Sequence, residues 1–151
     1  MRLRIFAEHK SAPAFDRGAV ALLVRQILEE EGKKSRSVNI VFVDDDYLSG
    51  VNRRFLNHDY RTDVICFDLS EDTNIEGEIY ISVDRARVQA KRYKVSPEQE
   101  MLRLMVHGVL HLSGWDDVSR SQKLRMRKRE DAIIHAFYAG KPKGLRQENG
   151  V

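Results

Sequence analysis

Val38-Asn39-Ile40-Val41-Phe42-Val43 is a run of β-branched and aromatic side chains, short enough for one strand and apolar enough to suit a strand buried on both faces. Working outward, a helix is expected on the N-terminal side from about Asp16 to Glu31, where Val20, Leu23, Val24, Ile27 and Leu28 make one apolar stripe. Asp16 can cap its start and Gly32 can end it. Before it, Leu3 and Ile5 mark a short first strand. On the C-terminal side, Asp44 to Asp46 offer caps for a helix that carries Leu48, Val51 and Phe55 at helical spacing. Val64 to Leu69 and Glu78 to Val83 read as two more strands, joined by the acidic segment Ser70 to Gly77 as a hairpin. A helix beginning at Asp84 places Ala86, Ala90 and Tyr93 on one side. Ser96-Pro97-Glu98-Gln99 opens the next, with Ser96 as cap and Gln99 positioned to complete a capping box. That helix runs through His111 and stops near Gly114, and a last one spans about Ser119 to Ala139, burying Met126, Ile133, Ile134 and Phe137. The tail from Lys141 is expected to fray. This order predicts an α/β (α+β) fold: a small mixed, largely parallel four-stranded sheet covered by about five helices, in a single domain over residues 1–151.

Composition agrees with one folded unit. At 151 residues, 42% hydrophobic and 32% charged, the chain can bury a core and keep a well-solvated surface. Cys66 is the sole cysteine, which rules out an internal disulfide or a cysteine-rich zinc ribbon and fits a reducing compartment. Charges interrupt every apolar run in Met1 to Glu8, so a cytoplasmic protein is expected, with no membrane partner. The net charge is only +3, yet residues 119–151 carry nine Lys or Arg against three Asp or Glu, leaving 17 basic and 20 acidic residues for 1–118. A basic C-terminal end is the footprint of a polyanion binder and equally the look of a solvated helix face.

The chemistry concentrates in Val106-His107-Gly108-Val109-Leu110-His111-Leu112-Ser113-Gly114-Trp115-Asp116-Asp117. Four residues apart on a helix, His107 and His111 project from one face about one turn apart and can share a metal ion. Gly114 lets the chain reverse and return a third ligand, and on spacing alone either Asp116 or Asp117 could be that ligand. Three protein ligands leave a position open, as in a catalytic site. Helical zinc proteases place glutamate directly after the first histidine as general base. Gly108 stands there instead, which argues against peptide hydrolysis.

His107 to Asp117 resembles the signature of the YbeY family of rRNA maturation factors, His-Gly-x-Leu-His-Leu-x-Gly-Tyr-Asp-His. Thr62-Asp63-Val64-Ile65-Cys66-Phe67 is similar to that family's Thr-Asp-Val-Leu-Ser-Phe, and Gly77-Glu78-Ile79-Tyr80-Ile81-Ser82 to its Gly-Asp-Ile-x-Ile-Ser, with Asn52 and Phe55 in register upstream. The resemblance implies a zinc-dependent endoribonuclease, selective for single strands, that matures the 16S rRNA 3′ end and takes part in ribosome quality control. It carries the metal ligands onto His107 and His111 by identity, and the third onto Asp117, where the family usually has histidine. A family arginine falls on Leu56, so Arg61 or His58 in the same loop is the candidate to act in its stead. Arg53, Arg54, Arg120, Lys123, Arg127 and Lys128 would hold the RNA backbone. Expected partners are rRNA, the small ribosomal subunit and ribosomal proteins, without DNA. A rival expectation, raised by Leu56, is a non-catalytic ribosome-assembly protein whose metal is structural.

Overall fold

The computed structural model describes residues 1–56 and 62–140. His58, Arg61 and the tail from Lys141 lie outside them. The elements run β1 (Arg2–Ala7), α1 (Arg17–Glu30), β2 (Ser35–Val43), α2 (Asp45–Leu56), β3 (Val64–Asp68), β4 (Ile75–Ser82), α3 (Val83–Tyr93), α4 (Pro97–Leu112) and α5 (Arg120–Ala139). The sheet order is β1-β2-β4-β3; β1 and β2 pair in parallel, as do β2 and β4, while β3 runs antiparallel to β4 at the edge. Among the described residues the fold is thus the expected mixed, largely parallel four-stranded sheet with five helices. No helix among them is long and apolar enough to cross a membrane.

The β2 run is covered more completely on one face than on the other. Val38, Ile40 and Phe42 are fully buried, whereas Asn39 and Val41 on the opposite face are only partly covered, because α1 and α4 blanket the first face and a smaller cluster around Leu48, Val51 and Ile65 serves the second. Asn39 there donates to Glu78 across the parallel ladder at 3.3 Å. The α1 stripe is buried as its spacing requires, and Asp16 accepts a hydrogen bond from the Ala19 N–H at 3.1 Å. Gly32 follows the helix at φ 69°, a conformation that a side chain disfavours.

Several local expectations shift. β4 begins at Ile75 rather than Glu78, because Ile75 pairs with Ser35. It continues into α3 without a loop, so that helix begins at Val83 rather than Asp84, capped by Ser82, which accepts from the Arg85 N–H at 3.1 Å. Phe55 is 62% exposed and meets Phe67 edge-on rather than entering the core. Ser96 caps α4 as expected, accepting from the Gln99 N–H at 3.1 Å, yet the Gln99 side chain does not complete the box and its buried Oε1 has no hydrogen-bond partner. The complete box opens α5: Ser119 accepts from the Gln122 N–H at 3.1 Å and Gln122 accepts from the Ser119 N–H at 2.9 Å.

The helix that positions the chemistry is α4, packed against α1, α3, α5, β3 and β4. Gly108 permits its close approach to the sheet: a Cβ added there would lie 2.7 Å from Ile79 Cγ2. The position that holds the general base in zinc proteases therefore faces the sheet and has no room for a side chain.

Candidate metal centre

Helix α4 presents the His107 and His111 rings on one face, their Nε2 atoms 3.0 Å apart and their planes crossing at 82°. Each ring is fixed from behind. The Nδ1 of His107 is 2.7 Å from Glu130 Oε2 on α5, and the Nδ1 of His111 is 2.8 Å from the Trp115 carbonyl oxygen. A carboxylate and a carbonyl can only accept, so both Nδ1 atoms carry the proton and both Nε2 atoms keep a lone pair. The third group arrives through the turn after α4. Gly114 adopts φ 108°, and the Trp115 N–H donates to the Leu110 carbonyl at 3.0 Å while its indole N–H donates to Glu31. This reversal brings Asp117 Oδ2 to 3.4 Å from His107 Nε2 and Oδ1 to 3.5 Å from His111 Nε2. Asp116 is exposed and belongs to no such group.

Two lone pairs and a carboxylate aimed at one small volume repel one another unless a cation lies between them. One ligand atom from each of His107, His111 and Asp117 lies within 4.8 Å of the others, so the group could hold a metal ion. Burial alone would lower the His107 pKa. The hydrogen bond and charge of Glu130, with the charges of Asp117 and Asp63, outweigh it and hold the imidazole above its ordinary value.

Two cavities meet at this point, and His107, Asp117 and Asp63 line both. One, of about 510 Å³, opens under α2 and β3, with Asn52, Leu56 and Cys66 on its walls. Burial, with the charges of Asp117 and Asp63, pushes the Cys66 thiol up to about 12, and its Sγ faces the Gly108 carbonyl at 3.8 Å. With no cation beside it, such a thiol stays protonated and is a poor nucleophile. The other cavity, about 170 Å³, lies between α3 and α5, with Tyr93, Lys123 and Arg127 on its walls.

Of the basic residues singled out on α5, the structure brings Lys123 and Arg127 to the smaller of the two cavities. Lys128 sits two residues before Glu130, about 160° round the helix from it, and lines neither cavity. Neither does Arg120. Arg54 borders a separate aromatic hollow between α2 and the sheet, its guanidinium over the Phe55 ring, and Arg53 lies beside it in the last turn of α2, where positive charge suits the helix dipole. Sequence reasoning passed over Glu130, although a carboxylate inside the apolar stripe of Met126, Ile133 and Ile134 was the available signal. It also passed over Arg103, which sits four residues before His107 and holds Glu130 at 3.2 Å.

The model of the family described as Endoribonuclease YbeY matches residues 6–138. The chain belongs to the YbeY family. An endoribonuclease YbeY of Flavobacterium psychrophilum is 44% identical over 115 residues, covering 76% of this chain and 82% of that one. The YbeY protein of Chlorobaculum parvum is 38% identical over 134 residues, 89% of this chain and 94% of its own. In structure, the chain superposes on a Thermotoga maritima protein solved in solution with a TM-score of 0.64 at 24% identity, covering 99% of each, which shows the shared fold. The YbeY match includes α4, the Gly114 turn and Asp117.

Proposed function

We propose that this chain is a zinc-dependent endoribonuclease that cleaves single-stranded RNA, acting in the cytoplasm on the 3′ end of 16S rRNA at the small ribosomal subunit. The observation that carries the reading is the convergence of two imidazole lone pairs and one carboxylate beside an open cavity of about 510 Å³. The relatives named endoribonuclease YbeY supply the substrate class.

His107 and His111 would hold the ion through Nε2 and Asp117 through its carboxylate, a nitrogen and oxygen set that suits zinc. Bound there, zinc supplies Lewis-acid polarisation of the scissile phosphodiester and activation of the attacking hydroxyl group. The chain's own contribution is orientation. Glu130 and the Trp115 carbonyl fix both tautomers, and Arg103 fixes Glu130. The larger cavity admits the strand along Asn52, Leu56 and Thr62. Leu56 brings no charge to the phosphate; Arg61 and His58, in the chain segment that follows it, are the candidates for that role.

Because Leu56 lines this cavity where a cation would help most, a second reading stands: a protein that binds metal and RNA in ribosome assembly without cutting. One experiment separates the two. Purified protein should cleave a single-stranded RNA, stop when a chelator is added and resume with added zinc, and His111→Ala should be inactive. Zinc and RNA binding without cleavage would favour the second reading, and cleavage that survives both chelator and His111→Ala would contradict the first.

A further inference from the structure

We infer that the smaller cavity between α3 and α5 is a phosphate subsite for the nucleotide beside the scissile bond, with Lys123 and Arg127 as its two cations. The inference rests on the RNA-cleaving reading above and specifies how the strand crosses the site.

His107 and Asp117 form the wall shared by the two cavities, so a phosphodiester placed at the ligand group has space on both sides. The sides differ. About 510 Å³ under α2 and β3 can take a nucleoside, whereas about 170 Å³ between α3 and α5 suits a compact group. Its chemistry favours an anion. Lys123 and Arg127 are four apart on α5, within 60° of Glu130 round the helix, and both reach the cavity. Arg127 stacks its guanidinium over the Tyr93 ring at 5.0 Å from the centroid, which steadies it on the wall and leaves its edge N–H groups for a ligand. The carboxylates on the same walls have other partners. Glu130 is held between Arg103 and His107, Asp117 faces the two histidines, and Asp63 accepts from the Gln89 amide at 3.1 Å. Burial raises Glu100, against the pull of Arg103 and Arg127, to about 7 and thins its negative charge. Among the described residues no carboxylate lies within ion-pairing distance of Lys123 or Arg127. Two cations without a salt-bridge partner, one pinned on an aromatic ring, at the rim of a site built for a phosphodiester, make an anion pocket that neither histidine nor aspartate explains.

The test is a double comparison of protein charge against phosphate charge. A fluorescent single-stranded RNA, 2′-O-methylated and checked on a gel to stay intact during the measurement, is titrated by anisotropy against wild-type protein and Lys123→Gln/Arg127→Gln, both side chains being exposed enough to replace without touching the core. A set of these RNAs carries one neutral methylphosphonate each, moved along the strand. Wild type should lose about tenfold in affinity at one position next to the scissile phosphate, the scale of a charge-assisted contact. The double variant should bind the unmodified RNA at least tenfold more weakly, with a salt slope shallower by roughly 0.7 for one phosphate of a single strand, and should be indifferent to that methylphosphonate. An equal methylphosphonate loss in both proteins, or no sensitive position in wild type, overturns the subsite while zinc-dependent cleavage by wild type leaves the nuclease reading standing. Wild type that neither binds nor cleaves single-stranded RNA overturns both.

Discussion

Asp117 is the residue on which the site turns, since two histidines alone make too weak a set for a stable three-ligand centre. Asp117→Ala should reduce zinc affinity by orders of magnitude, Asp116→Ala should leave it nearly unchanged because that side chain is exposed and outside the ligand group, and Asp117→His should retain or tighten it. Competition titration with a chromophoric chelator reads all three, and loss in Asp116→Ala with retention in Asp117→Ala would overturn the assignment. Glu130 acts one step removed, through the His107 tautomer. Glu130→Gln should weaken zinc by roughly 10- to 100-fold, the range for outer-shell partners of metal-bound histidine, while an unchanged affinity would reduce Glu130 to a partner of Arg103. The two histidines were legible from spacing, but that spacing left Asp116 and Asp117 open. Only the turn geometry, with the Trp115 N–H returned to Leu110 and φ 108° at Gly114, aims one of them. Glu130 is 23 residues beyond His107, a distance at which sequence periodicity carries no information about contact.

At the scale of elements, α4 joins stability to function. Gly108→Ala adds a methyl group against Ile79, and overpacking of about 1–3 kcal/mol should outweigh the gain in helix propensity of about 1 kcal/mol. A net loss of stability in urea, together with weaker zinc binding as α4 lifts its histidines, is expected; a stabilised variant would mean that the helix and sheet have slack. Glu100, 2% exposed on the same helix, sets a pH dependence. Burial raises its carboxyl to about 7 from an ordinary 4.5, opposed by Arg103 and Arg127 and aided by Asp63 and Glu130. The folded state then holds a proton that the unfolded state releases, so this group's contribution to stability falls as pH rises from about 4.5 to about 7. Glu100→Gln should flatten that fall, by an amount on the order of 2–3 kcal/mol, in denaturant midpoints at pH 5 and pH 8. Equal slopes in both proteins would contradict it. The helices of this layer were readable because caps and stripes are local: Asp16, Ser96 and the Val20 to Leu28 face behave as their spacing requires. The misreadings were of reach, not type. Phe55 matches helical periodicity but stays exposed, meeting Phe67 of β3 edge-on, and the helix expected from Asp84 already starts at Val83 with Ser82 as its cap at the end of β4.

Over the whole molecule, the sheet order β1-β2-β4-β3 sets the antiparallel edge strand β3 beside α4, and the larger of the two metal-site cavities opens along that edge. The mixed sheet and its helices followed from the element order, whereas the uneven covering of the two sheet faces did not, because a sequence run as apolar as Val38 to Val43 carries no mark of which neighbour is missing. Charge shows the same division. The basic surplus of residues 119–151 is visible in sequence, but only the phase of α5 around Glu130 separates Lys123 and Arg127, which reach the site, from Lys128, which does not. All of this depends on an ion held by His107, His111 and Asp117. Elemental analysis of the purified protein after equilibration with zinc and removal of the unbound metal tests that dependence directly. One zinc per chain in wild type, and none in His107→Ala or His111→Ala with unchanged circular dichroism, is the expected result; a full equivalent retained by either folded variant, or none in wild type, would contradict the account.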